Sequence, residues 1–315
     1  MISTEVRLRA RAVDPAAFEF VQTDVPSPEP GHVVVRNLFM SLDPGMLRRI
    51  VAPGLGFDLG RPLTGEAIGE VVDSSAPGYE VGDLVAHPFG WREYATAATA
   101  TLRRIDADAY PTLSMHLNFG LVAYTGLFDV AGFRAGDTVF VSSAAGAVGA
   151  LAGQFARLGG AKRVIGSAGS PEKVRYLTER LGFDAAFDYH DRELDEDIDV
   201  YFDNVGGRQL TTAIEHLNPG GRVVLCGVLD DTGADLPSRL LLARRLSVRG
   251  FSVLDHLHRA PDFSRDFRDW LANGLVYDET VVDGLRDAPR TLLDLGTGKY
   301  RGKVVVRLGE TTRGA

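Results

Sequence analysis

A chain of 315 residues, 45% hydrophobic and 24% charged, is long for one ordinary core and suggests two domains of a globular protein. Its formal net charge of -8 argues against a nucleic-acid or anionic-membrane partner, since both need a basic surface. With Cys226 as its one cysteine, an intrachain disulfide and a cysteine-built zinc site are excluded. Nothing near Met1 reads as a signal-peptide core, and no run of about 18 apolar residues offers a membrane span. The expectation is a cytoplasmic α/β protein.

The first hundred residues read as β-rich. In EVRLRARAV, Val6, Leu8, Ala10 and Ala12 alternate with arginines, the period of a half-buried strand. A strand near Val33–Leu38 follows a Pro-rich turn and stops at Asp43-Pro44. GEAIGEVVDSSAPGYEVGDLVA supplies two more strands around Pro-Gly and Val-Gly-Asp turns. Near Met115 the texture changes. GLVAYTGLFDVAGF suits a helix, TVFVSS is a short apolar strand, and AVGALAGQFARLGG is helical by spacing. RVIGSAG is the next strand, and SPEKVRYLTERLG a helix with Ser170 as N-cap and Pro171 in its first turn. DAAFDY, DVYFDNVG, RVVLCGV and SVRGFSV continue the strands, with helices between them and FSRDFRDWLANG closing the lobe. Strands alternating with helices imply parallel βαβ units in a doubly wound sheet. A helix near Leu285–Leu295 and the strand KVVVRL form the tail, which would rejoin the first domain.

The stretch SSAAGAVGA, Ser142–Ala150, follows an apolar strand and opens a helix, which is the setting of a dinucleotide phosphate loop. A tight turn, a close backbone approach and a free helix N-terminus are what a pyrophosphate needs there. The loop residues Ala144, Gly146, Ala147, Val148 and Gly149 are therefore cofactor candidates, with Ala144 in the place of the first glycine, provided its φ stays negative. The second strand ends in Gly166-Ser-Ala-Gly-Ser170, where an NAD site usually places an Asp or Glu for the ribose hydroxyls. Ser167 and Lys173 suit a 2′-phosphate instead, which favours NADPH.

These motifs resemble the medium-chain dehydrogenase/reductase superfamily over nearly the whole chain. Within it they are most similar to the zinc-independent, NADP-dependent alkenal/one reductases of the leukotriene B4 dehydrogenase or prostaglandin reductase type. SLDP at 41–44, GEAIGEVV at 65–72, GLVAYTGL at 120–127 and AGDTVFVSSAAGAVG at 135–149 carry the resemblance. GSAGSPEKVRYL at 166–177, LGFDAAFDY at 181–189, VYFDNVGG at 200–207 and GRVVLCGV at 221–228 extend it. It implies a Rossmann domain over 118–273 and a GroES-like catalytic domain over 1–117, completed by 274–315, with the cofactor in the crevice between them. It also implies cofactor contacts at Lys173, Tyr189, Asn204, Cys226, Gly227, Phe251 and Val253. By motif alignment the catalytic zinc ligands of zinc-dependent relatives fall at Met40, Gly65 and Asn118, none of which offers a thiolate or imidazole, so no metal is expected.

The implied reaction is hydride transfer from NADPH to the C=C bond of an enone or enal, in a homodimer acting on a small molecule. No side-chain acid is assigned; Asn118 is a candidate for polarising the carbonyl. Gly45, Met46, His87 and Val122 are candidates for the substrate pocket, with Trp91 and Tyr94 packing beneath it. The chain departs from the family at Gly45 and Tyr300, where a tyrosine and an asparagine are usual, at Val122 in place of a threonine, and in a shortened segment after Gly227. Those departures point to a wider or more apolar pocket and a bulky or biosynthetic substrate. A quinone oxidoreductase, a reductive cyclase and an NADPH-binding sensor without turnover are the alternatives. Asp255, His256 and His258 read as solvated residues rather than a metal cluster.

Overall fold

The computed structural model describes residues 1–52, 54 and 56–309. The chain divides into two compact units, one formed by Met1–Asn118 with the C-terminal segment from Glu279, the other by Phe119–Asp278.

In the first unit β1 (Ile2–Leu8) pairs antiparallel with β2 (Phe18–Asp24), Leu8 facing Phe18. The alternation of EVRLRARAV runs past the true end of the strand: Arg9 and Ala10 are exposed, and Asp14 accepts the Ala16 N–H at 2.6 Å to cap a single turn that reverses the chain. β3 (His32–Leu42) is longer than the expected Val33–Leu38, because it has partners along both edges. The Asp43-Pro44 stop leads into a short helix, α1 (Gly45–Val51), that the sequence reading did not contain. β4 (Ala67–Ser74), β5 (Leu84–His87), β6 (Tyr94–Ala98) and β7 (Arg103–Arg104) complete this part.

The second unit opens with α2 (Gly120–Tyr124), which widens into a π turn over Thr125–Val130, where the Ala131 N–H reaches back five residues to the Gly126 carbonyl. Then follow β8 (Thr138–Val141), α3 (Ala147–Leu158), β9 (Arg163–Ala168), α4 (Pro171–Arg175), β10 (Ala185–Asp188) and β11 (Ile198–Asp203). α5 (Gly207–Glu215), β12 (Leu217–Leu225), α6 (Ser238–Arg244), β13 (Ser247–Gly250) and α7 (Ala260–Ala272) close it. As expected, Ser170 caps α4 by accepting the Lys173 N–H, with Pro171 in the first turn. The six strands lie in the order β10-β9-β8-β11-β12-β13, all parallel, so the sheet is doubly wound and its order reverses beside β8. Phe140 and Tyr201 stack on adjacent strands at 4.9 Å, with Phe187 on the far side of Phe140 at 5.7 Å. Burying each such ring is worth roughly 1.5–3 kcal/mol.

The chain then returns to the first unit through β14 (Glu279–Asp283), α8 (Ala288–Gly296) and β15 (Lys303–Arg307), and the seven-stranded sheet there takes the order β14-β15-β3-β4-β5-β7, with β6 paired to β3. Met40, Met46, Ile50, Ala67, Trp91, Leu292 and Val306 belong to one apolar cluster on one face of that sheet; Ile68, Ala86, Leu117 and Val305 pack on the other. The two sets alternate along β4 and β15, whose successive side chains point to opposite faces, so both faces of these strands are covered.

Candidate functional site

The small-residue loop sits at the carboxyl end of β8, beside the point where the strand order reverses. The left-handed backbone falls on Ser143 (φ 48°), so Ala144 keeps a negative φ and the missing glycine is no defect. Ala144 is fully buried; its N–H donates to the Ser167 carbonyl at 2.9 Å, and its methyl lies where a Cβ on Gly166 would meet it at 2.9 Å. Gly149 is required for a different reason: a Cβ there would come within 2.6 Å of the Ser143 carbonyl oxygen and 2.8 Å of the Ala144 Cα, so only glycine lets α3 pack this tightly on the loop. Gly146 is the N-cap and brings no side chain to cap the helix, which leaves the first N–H groups of α3 facing a half-exposed surface at Ala147 and Val148.

At the end of β9 no carboxylate appears; Ala168, Gly169 and Ser170 lead into α4. Ser167 is fully buried and donates its hydroxyl to the Gln209 Oε1 at 2.6 Å, so its side chain is engaged inside the unit. Lys173 is half-buried, and that burial lowers its ammonium pKa, with Glu172 pulling the other way. The Tyr189 ring covers Gly169 closely enough that a Cβ there would meet it at 3.1 Å, while the ring remains 45% exposed.

Strands β8 and β11 are fastened at their carboxyl ends by Asp203, which is fully buried. Its Oδ1 accepts the Tyr201 hydroxyl at 2.8 Å, the Ser142 hydroxyl at 3.2 Å, and the Val205 and Gly206 N–H groups at 2.9 Å each. Asn204 is held by the same centre: its N–H donates to Ser142 Oγ at 2.9 Å and its amide to the Ser142 carbonyl at 2.7 Å. The Cys226 and Gly227 N–H groups both donate to the Asp203 carbonyl. Burial, and then the charge of Asp203, push the Cys226 thiol up to about 12, so it is a small apolar group at physiological pH rather than a nucleophile. Phe251 packs against Gly126, whose added Cβ would meet the ring at 3.0 Å, and Val253 starts the turn Val253–Arg259. Asp255 and His258 in that turn are exposed, as expected of solvated residues; His256 sits near Asp129, and no group of three or more potential metal ligands exists among the described residues.

In the first unit Met40, Gly65 and Asn118 are engaged in packing and capping. Met40 Sδ accepts the Trp91 N–H at 3.1 Å, and Gly65 is clamped by bonds to Pro88 and Gly90. The Asn118 amide donates to the Met115 carbonyl at 2.6 Å. Gly45 is exposed at the start of α1, whereas Met46 is only 2% exposed and sits in the apolar cluster, its Cε where a Gly65 side chain would be. His87, another pocket candidate, ends β5 and is 3% exposed. Trp91 is fully buried and stacks on Phe18 at 6.2 Å. Val122 lies half-buried on α2, and Tyr300 packs against the apolar cluster of the first unit. Sequence reasoning missed Asp203 and Ser142 as the fastening of the loop, although the Asp-Asn pair of DNVGG carried a signal. It also missed Lys303, fully buried, whose ammonium donates to Ser41 Oγ at 2.6 Å and the Leu42 carbonyl at 2.8 Å and fixes the SLDP segment.

Comparison with known proteins agrees with this arrangement. A family described as the N-terminal domain of oxidoreductase matches residues 6–105, and one described as zinc-binding dehydrogenase matches 147–273. The chain is 37% identical to 2-alkenal reductase (NADP(+)-dependent) of Nicotiana tabacum, covering 87% of this chain and 86% of that protein. It is 34% identical to NADPH-dependent curcumin reductase of Escherichia coli, covering 93% and 92%. The crystal structure of CurA in complex with NADPH from Vibrio vulnificus superposes with a TM-score of 0.89 at 31% identity over 98% of this chain and 99% of that one. With this loop, this sheet order and these relatives, the chain belongs to the NADP-dependent reductases of the medium-chain dehydrogenase/reductase superfamily.

Proposed function

We propose that the protein uses NADPH to reduce the C=C bond of α,β-unsaturated carbonyl compounds, without a metal. The observation that carries the reading is the cofactor side of the second unit: a helix N-terminus without a side-chain cap, a glycine whose Cβ would clash with the loop backbone, and a strand end that lacks the carboxylate of NAD enzymes and is followed by a lysine in the first turn of α4. These residues fit the cofactor. The N–H groups of Ala147, Val148 and Gly149, with Ala144 and Gly146 shaping the turn, receive the pyrophosphate. Lys173, in the first turn of α4, would receive the 2′-phosphate, whose charge would offset the cost of burying the ammonium; Ser167, near the end of β9, and Tyr189, over Gly169, complete the candidate set. Asn204, Cys226, Gly227, Phe251 and Val253 border the nicotinamide half.

When bound, NADPH supplies the hydride. The chain's own contribution is orientation: Asp203 fixes the ends of β8 and β11, so the groups that hold the cofactor are set before it arrives. The substrate carbonyl oxygen gains negative charge as its β-carbon is reduced, and hydrogen bonds to it count most in the transition state. Gly45 and Val122 carry no polar side-chain group, which supports a bulky, apolar substrate; the Asn118 amide gives one of its two N–H groups to the Met115 carbonyl. The reading assigns cofactor binding to 119–278 and the catalytic role to the remainder, in a homodimer in the cytoplasm with no nucleic-acid partner. The acidic surface charge supports the last point, and the open edge of β13, with Leu242 81% exposed on α6, supports self-association.

The test is NADPH oxidation by purified protein against crotonaldehyde, benzylideneacetone and menadione. Turnover with the enal or enone and a preference for NADPH over NADH are expected. Turnover with the quinone alone would make it a quinone reductase, and tight NADPH binding without any turnover would make it a sensor.

A further inference from the structure

His87 ends β5 and shares a cross-strand row with Ala67 and Met40: His87 is paired with Ala67, and Ala67 with Met40. Directly opposed residues of antiparallel strands point to the same face, so the imidazole stands on the face that carries Met40 and Trp91. Its two nitrogens are in different situations. Nδ1 accepts the Phe89 N–H at 3.2 Å. An imidazole that accepts at Nδ1 carries its proton on Nε2, and Nε2 has no hydrogen-bond partner among the described residues, in a side chain that is 3% exposed. A second donor in the same segment is in the same condition. Trp91 is fully buried, its Nε1 has no partner among the described residues, and it lies 3.4 Å from the place where a Gly65 Cβ would be. Trp91 is also held at φ 62°, a left-handed conformation that costs about 1–3 kcal/mol and persists where packing imposes it.

Gly65 is held by the segment that joins these two residues in the chain: its N–H donates to the Pro88 carbonyl at 3.0 Å, and its own carbonyl accepts the Gly90 N–H at 2.9 Å. This corner therefore presents two buried N–H donors, on His87 and Trp91, with no acceptor among the described residues. A buried donor left without an acceptor costs about 1–3 kcal/mol, which a ligand oxygen recovers.

We propose that His87 is a substrate-binding residue of this reductase, its neutral Nε2–H donating a hydrogen bond to the carbonyl oxygen of the α,β-unsaturated substrate. The inference rests on the enone-reductase reading. A neutral donor is suited to the task, because it strengthens as the oxygen becomes enolate-like without delivering a full charge to an apolar pocket. Burial, reinforced by the charge of Arg92, lowers the His87 pKa to about 3, so the ring stays neutral throughout the working range.

The experiment compares His87→Phe, which keeps a planar ring and removes the donor, with His87→Gln, which keeps an N–H. With benzylideneacetone and NADPH, His87→Phe is expected to lower kcat/KM by about 100-fold, and His87→Gln to recover most of that loss. NADPH affinity should be unchanged in both variants, while His87→Phe, which also strips the Phe89 N–H of its acceptor, should lower the thermal midpoint more than His87→Gln does. A readout independent of turnover is the ¹⁵N shift of Nε2 in histidine-labelled protein, which should move when benzylideneacetone is added with NADP⁺ present. Full activity in His87→Phe, or equal losses in both variants with no Nε2 shift, overturns the inference and leaves His87 as a packing residue that bonds a water. Wild-type protein that turns over no enone or enal overturns the functional reading itself, so the two failures are separable.

Discussion

Two buried polar centres of this protein are built on opposite plans. In the second unit, the Asp203 centre gathers four donors on one carboxylate oxygen and holds Asn204 as well, so the donors at the ends of β8 and β11 are engaged with the protein itself, while the start of α3 has no side-chain cap. In the first unit, the corner around Gly65 contains two buried N–H groups, on His87 and Trp91, with no acceptor among the described residues. The difference teaches how a reductase divides its work. On the proposed reading the cofactor rests on donors paired in advance, although Asp203 Oδ2 itself has no partner among the described residues, whereas the donors proposed to meet a reacting oxygen stay available until substrate arrives.

The contrast can be broken most severely at Asp203. Replacing it with alanine strands Tyr201, Ser142 and two backbone N–H groups in the interior, and should cost about 3 kcal/mol or more. Calorimetry should show a fall of at least about 6 °C in the midpoint; an unchanged midpoint would mean that the centre is not under load. Gly149→Val forces a side chain into the Ser143 carbonyl and should weaken NADPH binding by at least about 100-fold, read by fluorescence titration, without a comparable loss of fold. Lys173→Ala should raise the Kd for NADPH by roughly tenfold to hundredfold while leaving that for NADH within about twofold, as removal of one charge-assisted bond requires. Equal losses for both cofactors would contradict a 2′-phosphate role.

Lys303 sharpens the comparison, because it is buried in the first unit and yet fully engaged. Burial lowers its pKa from 10.5 to about 8, against the pull of Asp43, Glu66 and Glu279. Between those values the unfolded chain binds the proton that the folded chain has released, so this residue makes stability rise with pH there, by at most about 1.4 kcal/mol per pH unit. Below pH 8 both states hold the proton and the dependence vanishes. Urea titrations from pH 7 to 10 should show that slope in wild-type protein and its loss in Lys303→Met. The smallest effect belongs to Cys226→Ala, expected to change NADPH affinity and turnover by less than about threefold, with the native thiol inert to iodoacetamide at pH 8.

Much of the second unit was legible from residues alone. Short apolar strands alternating with helices, the Ser170-Pro171 helix start and the glycine spacing of the loop are local signals, and each is where it was expected. The first unit was harder for a physical reason. β2 and β14 have half-exposed, mixed sequences without a clean period-two pattern, and α1 lies in a segment that begins with Pro and Gly. At the site, nothing local revealed that the left-handed turn falls on Ser143, or that Ser167 would spend its hydroxyl on Gln209. Met46 looked like a pocket residue beside Gly45, but helical geometry turns it inward beneath Gly65. The row that joins His87 to Met40 exists only once three strands are in register.

The account depends on hydride moving from NADPH to a carbon–carbon double bond, and one isotope experiment addresses that directly. NADPH deuterated at the transferring position of the nicotinamide is incubated with the protein and benzylideneacetone, and the product is examined by NMR. The account predicts a saturated ketone carrying a single deuterium on the carbon β to the carbonyl. Deuterium on the carbinol carbon of an allylic alcohol, or unreduced enone with the cofactor bound, would contradict it.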